Sequence, residues 1–229
     1  MRILLISGST RRGSGNTAAL RTVQAMAPEG ITAEMYEGLA ALPAFSPDED
    51  EQPPEPAAAL RARIAVADAL LFCTPEYAGT LPGSLKNLLD WTVGGGEIYG
   101  KPVGWINVAT GGRGTGAEEH LAMVLRYVSA VAVEGACVRV PVPREAAGPD
   151  GIISDPAIRA ALGAVLTALA ARPRLSSAPE WWWACSSRRD SSARVRLQPL
   201  NLHDRQRDKS GWDVRVLVVW RAASGYRRS

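Results

Sequence analysis

The chain has 229 residues, 46% of them apolar, and a formal net charge of +3, which suits one sizeable domain with a full core, or a domain plus an appendage. Cys73, Cys137 and Cys185 lie far apart without a C-x-x-C, and the histidines are His120 and His203, which argues against a disulfide framework and a Cys/His zinc site, so no metal is expected. No apolar run approaches the roughly 20 residues of a membrane helix, and the run after Arg2 is too short for a signal peptide, so a cytoplasmic protein without a membrane partner is expected.

A short apolar run over 3–6 predicts a buried first strand. The chain then breaks into Ser7-Gly8-Ser9-Thr10-Arg11-Arg12-Gly13-Ser14-Gly15-Asn16-Thr17, ahead of a helix over 18–27. Backbone N–H groups, hydroxyl donors and a guanidinium at the positive end of a helix are the components of a phosphate-monoester site. The same composition also suits an ordinary polar strand-to-helix turn. Alternation over 31–36 predicts a second strand, and 38–56 is a loop rich in proline and acid. A helix over 57–66, a buried strand over 69–73, a loop over 74–83 and a helix over 84–91 follow, the last with Leu85, Leu88 and Leu89 on one face. The remaining elements are a strand over 102–109, a glycine-rich and flexible loop over 110–116, a helix over 117–131 and a strand over 136–140. A final helix over 156–171 opens on Asp155-Pro156, a good cap followed by a good first helical residue.

Strand and helix thus alternate five times within about 170 residues, the pattern of an open parallel sheet with helices on both faces. In a 2-1-3-4-5 strand order the loops 7–17, 74–83 and 110–116 follow neighbouring strands and converge on one crevice, where such sheets bind ligands. Gly13-Ser14-Gly15-Asn16-Thr17-Ala18 matches the dinucleotide pattern G-x-G-x-x-A, but Ser7 to Arg12 intervene between strand and first glycine. Its hydroxyls suit a terminal phosphate dianion better than a bridging pyrophosphate. Prolines restrict the middle loop around Tyr77, which suits a surface meeting a flat ring or a tight turn with the tyrosine packed on its own helix. The third loop offers N–H groups to negative charge on a bound ring, or is a plain linker.

The chain resembles the NADPH-dependent FMN reductase family of flavodoxin-like proteins. Gly8-Ser9-Thr10-Arg11 with Ser14 and Asn16 matches the family's phosphate loop. Thr74-Pro75-Glu76-Tyr77 continuing through Pro82-Gly83-Ser84-Leu85-Lys86-Asn87-Leu88-Leu89-Asp90-Trp91 matches its second, more specific signature, and Gly100-Lys101-Pro102-Val103 also fits. The resemblance covers about residues 1–172. It implies a flavodoxin-like, doubly wound α/β fold with five parallel strands. It also implies an enzyme that passes a hydride from NADPH or NADH to bound FMN and then to a small acceptor such as a quinone, flavin, azo dye or metal oxyanion. By position, Ser9, Thr10, Arg11, Ser14, Asn16 and Thr17 would hold the FMN phosphate. Pro75, Glu76, Tyr77, Ala78 and Gly79 would line the flavin ring, and Thr110, Gly111 and Gly112 its pyrimidine edge. The family usually has Asn where this chain has Ala78, which removes one side-chain contact to the flavin. The chemistry is the flavin's, so no catalytic acid, base or nucleophile is required. A homodimer or homotetramer is implied. The alternative is a flavodoxin-like electron carrier without its own turnover, although such carriers are usually strongly acidic.

Other residues carry less. His120 either faces substrate or is a solvated or interface side chain. Cys73 reads as an inert core residue, and Lys86, Asn87, Asp90 and Trp91 as support for the fold or a dimer contact. Arg12 and Arg113 are the candidates for a 2′-phosphate contact and do not decide between NADPH and NADH. Charge marks a boundary after the reductase domain expected over 1–174. Those residues hold 15 Lys and Arg against 18 Asp and Glu, and the other 55 hold 11 against 5. The tail over 175–229, rich in Trp, Arg and Ser, is expected to be loosely packed or disordered rather than a nucleic-acid-binding arm.

Overall fold

The computed structural model describes residues 1–171, and the tail expected over 175–229 lies outside them. Five strands form one all-parallel sheet: β1 (Arg2–Ser7), β2 (Thr32–Tyr36), β3 (Ala69–Cys73), β4 (Pro102–Asn107) and β5 (Val131–Arg139). Their order is β2-β1-β3-β4-β5, as the resemblance to flavodoxin-like proteins implies. Five helices connect and follow them: α1 (Gly15–Ala25), α2 (Glu55–Val66), α3 (Gly83–Asp90), α4 (Thr115–Tyr127) and α5 (Pro156–Ala170). Among the described residues no helix is long and apolar enough to cross a membrane.

The central strands are apolar throughout because both sheet faces are covered. Ile3 and Leu5 of β1 with Leu71 of β3 enter a core against α1 and α5, built on Leu20, Val23, Leu162 and Leu166. Leu4, Ile6, Leu70 and Phe72 face the opposite core, made with Leu60, Leu85, Leu88, Trp91 and Leu121. The proline-rich stretch 38–56 contains two short 3₁₀ turns, Leu39–Ala41 and Pro47–Glu49. It is pinned to α3 because Asn87 accepts the Phe45 N–H at 2.8 Å, while Asn87 Nδ2 and Trp91 Nε1 both donate to the Pro43 carbonyl. Phe45 also meets the Trp91 ring edge-on, with centroids 5.0 Å apart. Asn87 and Trp91 therefore support the fold, and Lys86 pairs with Asp90 one turn away along α3.

Several boundaries differ from the sequence pattern, most of all around the end of α4. The helix expected over 117–131 starts at Thr115 and stops at Tyr127, and the strand expected over 136–140 already begins at Val131. The stop is a Schellman closure: Ala130 N–H bonds to Leu125 O at 2.9 Å and Ser129 N–H to Arg126 O at 3.0 Å. Ser129 takes the left-handed conformation at φ 58°, where glycine is the usual residue and hence the usual signal. β5 then pairs with β4 through a bulge between Val103 and Trp105. Gly104 sits at that bulge, and a β-carbon there would lie 2.6 Å from the Ala136 carbonyl oxygen.

Candidate functional site

The carboxyl ends of β1, β3 and β4 lie side by side, so the three loops that follow them share one edge of the sheet. The first loop is anchored close to the second. Gly8 N–H bonds to Cys73 O at 2.9 Å, and a β-carbon on Gly8 would overlap the Thr74 hydroxyl. Within the loop Ser9 Oγ accepts the Arg11 N–H at 3.3 Å, and Arg11 folds back to donate to Gly13 O at 3.4 Å.

The candidate phosphate-holding residues divide into two groups. Ser14, buried, is the cap of α1, with Oγ accepting the Asn16 N–H at 3.2 Å. Asn16 Oδ1 accepts the Cys73 thiol at 3.3 Å, and Thr17 shares a 2.8 Å hydrogen bond with Ser7. These side chains shape the loop from beneath. Ser9, Thr10 and Arg11 lie above them toward solvent. All but Asn16 of the six line a cleft of about 570 Å³. With the α1 N-terminus, exposed hydroxyls and a guanidinium on one wall, this loop has the donors a phosphate dianion requires. Burial pushes the Cys73 thiol far above its ordinary range, in keeping with an inert core residue.

The second loop is a two-residue hairpin. Tyr77 and Thr80 exchange backbone hydrogen bonds of 3.0 and 3.1 Å, and Ala78 and Gly79 both take positive φ, 51° and 75°. That is the geometry of a type I′ turn, in which Asn-Gly is the favoured pair. Tyr77 is 53% exposed at its edge. The side chain of Glu76, a residue expected along the ring, reaches the third loop. Its Oε2 accepts the N–H groups of Gly116 at 2.8 Å and Ala117 at 3.2 Å, capping α4. A β-carbon on Gly116 would overlap the Gly79 carbonyl, so the two loops touch.

The third loop has three left-handed glycines, Gly111, Gly112 and Gly114, and is tied at several points. Asn107 Oδ1 accepts the Ala109 N–H at 3.0 Å, and its Nδ2 donates to Glu118 Oε2 at 3.1 Å and Arg113 O at 3.4 Å. Glu118 also receives Arg139 Nε at 2.7 Å and Trp105 Nε1 at 3.3 Å. Arg113 is bonded to Thr110 O and Oγ1. The loop that composition describes as flexible is thus held by a network on β4, α4 and β5. Asn107 and Glu118 are the positioning residues that loop composition misses, since they lie in elements adjoining the loop. β-Carbons built on Gly79, Gly111 and Gly112 would meet nothing within 4 Å, so the backbone at these three positions is unobstructed. His120 lies one turn beyond Gly116 on α4, and its Nδ1 is buried with no hydrogen-bond partner among the described residues.

Comparison with known proteins agrees with this fold. The family model for NADPH-dependent FMN reductase matches residues 1–142. The chain belongs to that family. FMN is accordingly its cofactor and NAD(P)H its electron donor. It is 37% identical over 135 residues to a 2-hydroxy-1,4-benzoquinone reductase of Burkholderia sp., covering 57% of this chain and 73% of the relative. It is 36% identical over 132 residues to an NAD(P)H-dependent FMN reductase of Pseudomonas aeruginosa, covering 56% and 71%. Among solved structures it is similar to FerB, a flavoenzyme NAD(P)H:(acceptor) oxidoreductase from Paracoccus denitrificans. That match has a TM-score of 0.65 and 26% identity, over 74% of this chain and 97% of the other.

Proposed function

We propose that this FMN reductase delivers the electrons of NAD(P)H to a small two-electron acceptor of the quinone class, at the open face between the second and third loops. The observation that carries this reading is the pair of loops latched together by Glu76, with unobstructed glycine backbone at 79, 111 and 112, beside a phosphate cup. In this reading Ser9, Thr10, Arg11 and the α1 N-terminus receive the FMN phosphate, and Ser14, Asn16 and Thr17 hold the loop in shape. Pro75, Tyr77, Ala78 and Gly79 lie along one side of the ring, and Thr110, Gly111 and Gly112 at its pyrimidine edge. Bound FMN supplies hydride acceptance from nicotinamide and delivery to the acceptor. The chain's own task is binding, orientation and stabilisation of negative charge, for which the N–H groups of residues 110–112 are placed.

Donor and acceptor then use one open face in turn, which gives ping-pong kinetics. The assembly is a homodimer or homotetramer, and Met123 and Tyr127 on α4, 48% and 81% exposed, are available to a second copy. The cytoplasm, where the nicotinamide donor is found, is the location. The test is NADPH oxidation by the FMN-loaded full chain with and without a benzoquinone. Steady turnover with parallel double-reciprocal lines is the expected result. Single-turnover reduction of the flavin without acceptor-dependent cycling would make the chain an electron carrier and overturn the reading.

A further inference from the structure

Glu118 is the point at which the third loop is tied to two strands. Trp105 and Asn107 stand two residues apart on β4, so their side chains leave the same face of the sheet. In the β4–β5 register Asn107 lies beside Arg139. All three residues donate to one carboxylate: Trp105 Nε1 to Oε1 at 3.3 Å, Asn107 Nδ2 to Oε2 at 3.1 Å and Arg139 Nε to Oε2 at 2.7 Å. Asn107 carries this anchorage to both ends of the loop, since its Oδ1 accepts the Ala109 N–H and its Nδ2 also reaches Arg113 O. A β-carbon on Gly114 would lie 2.5 Å from Asn107 Oδ1, so the start of α4 fits closely against the amide.

This anchor sets one negative charge against another. In the proposed reading the N–H groups of residues 110–112 receive the negative charge that a hydride brings to the flavin. A carboxylate one side chain beneath the same loop opposes that charge. The Glu118 side chain is only 20% exposed, so water screens it poorly. Of its three donors, Trp105 and Asn107 are neutral, and Arg139 alone carries a charge. The Arg139 side chain is 50% exposed, and an ion pair at that depth adds little to stability. Its consequence is electrostatic: the guanidinium lets a carboxylate hold the loop without repelling the reduced ring.

We propose that Arg139 sets the reduction potential of the bound flavin by neutralising Glu118, the residue that positions the third loop through Asn107. The inference rests on the reading that residues 110–112 lie at the pyrimidine edge of FMN. Neither residue needs to touch the flavin: Glu118 acts through Asn107, and Arg139 through Glu118. Both are positioning residues.

The test uses the full chain loaded with FMN, as wild type, Arg139→Gln, Glu118→Gln and the double variant. The midpoint potential of the bound flavin is measured against a reference dye. Arg139→Gln is expected to weaken reduced relative to oxidised flavin roughly tenfold, which lowers the potential of a two-electron couple by about 30 mV. Glu118→Gln is expected to raise the potential, and the double variant to return it close to wild type. A role in packing alone would loosen the loop in both single variants and would not move the potential in opposite directions. Unchanged potentials, or shifts of one sign in both, overturn the inference. Arg139→Gln alters an exposed side chain and decides the sign by itself should Glu118→Gln fail to take up flavin. Amide hydrogen exchange over residues 109–114 of the wild-type chain, with and without FMN, tests the underlying reading separately. Protection by FMN together with unchanged potentials overturns the inference and leaves the reading standing. Exchange that FMN does not alter removes both.

Discussion

Glu76 joins two loops of the crevice by accepting the backbone N–H of Gly116, 40 positions further along the chain. The carboxylate takes the Ala117 N–H as well, so it caps α4 and fixes the distance between the hairpin at Tyr77 and the glycine loop. Glu76→Ala removes a charge-assisted cap, a loss of about 1 kcal/mol of stability. It also frees the loops to separate, and FMN affinity falls roughly tenfold. Glu76→Gln keeps one acceptor oxygen and shows a smaller loss on both measures. Thermal melts and flavin titrations of the two variants check this. Equal FMN affinity in wild type and Glu76→Ala would show that the latch does not position the ring.

The turn that follows contains a residue at odds with its own backbone. Ala78 sits at φ 51° and Gly79 at φ 75°, and a left-handed conformation costs a residue with a β-carbon roughly 1–2 kcal/mol. Ala78→Gly removes that strain while adding freedom to the unfolded chain, for a net gain of about 0.5–1 kcal/mol. That corresponds to a rise in Tm of roughly 1–4 °C for a chain of this size. Gly79→Ala is expected to move Tm the other way. A calorimetric comparison in which both substitutions lower Tm by the same amount would refute the assignment of strain to Ala78.

How much of this was legible in the sequence depended on whether the signal was local. Apolar runs at 3–6 and 69–73 and the cap at Asp155 mark their elements directly, the alternation gives the parallel sheet, and the strand order comes with the flavodoxin-like resemblance. The end of α4 was hidden because Ser129 fills a position where glycine is the usual signal. Glu76 was placed correctly in the second loop, yet its partner lies in the third, and no spacing rule connects a carboxylate to an N–H 40 residues on.

Arg11 and Ser14 separate ligand contact from loop support. Arg11 is exposed, with a single long contact to Gly13 O at 3.4 Å, so Arg11→Ala leaves the melting temperature unchanged. Losing a charge-assisted phosphate contact of about 1.5–3 kcal/mol weakens FMN roughly 10- to 150-fold. Ser14→Ala removes the α1 cap and costs about 1 kcal/mol of stability, with FMN weakened through the disturbed loop. Chemical denaturation beside flavin titration distinguishes the two. A destabilised Arg11→Ala with normal FMN affinity would reverse the roles assigned here.

Glu97 gives the fold a pH dependence unrelated to the flavin site. Its side chain is 14% exposed and lies 3.9 Å from Arg61, but Arg61 already bonds Asp50 and the Trp91 carbonyl, and Glu97 Oε2 has no hydrogen-bond partner among the described residues. Burial raises the Glu97 carboxyl above its ordinary range, with Arg61 and Lys101 opposing the shift and Asp50 adding to it. A carboxyl raised in the folded state contributes stability that is complete below its unfolded pKa, about 4.3. That contribution is lost as pH rises through the folded value. Glu97→Gln, a neutral mimic of the protonated acid, removes this dependence. The variant is therefore expected to match wild type near pH 4 and to gain on it progressively toward neutrality. Melting curves of both proteins across that interval measure the difference, and parallel profiles would show that folding does not shift the Glu97 carboxyl.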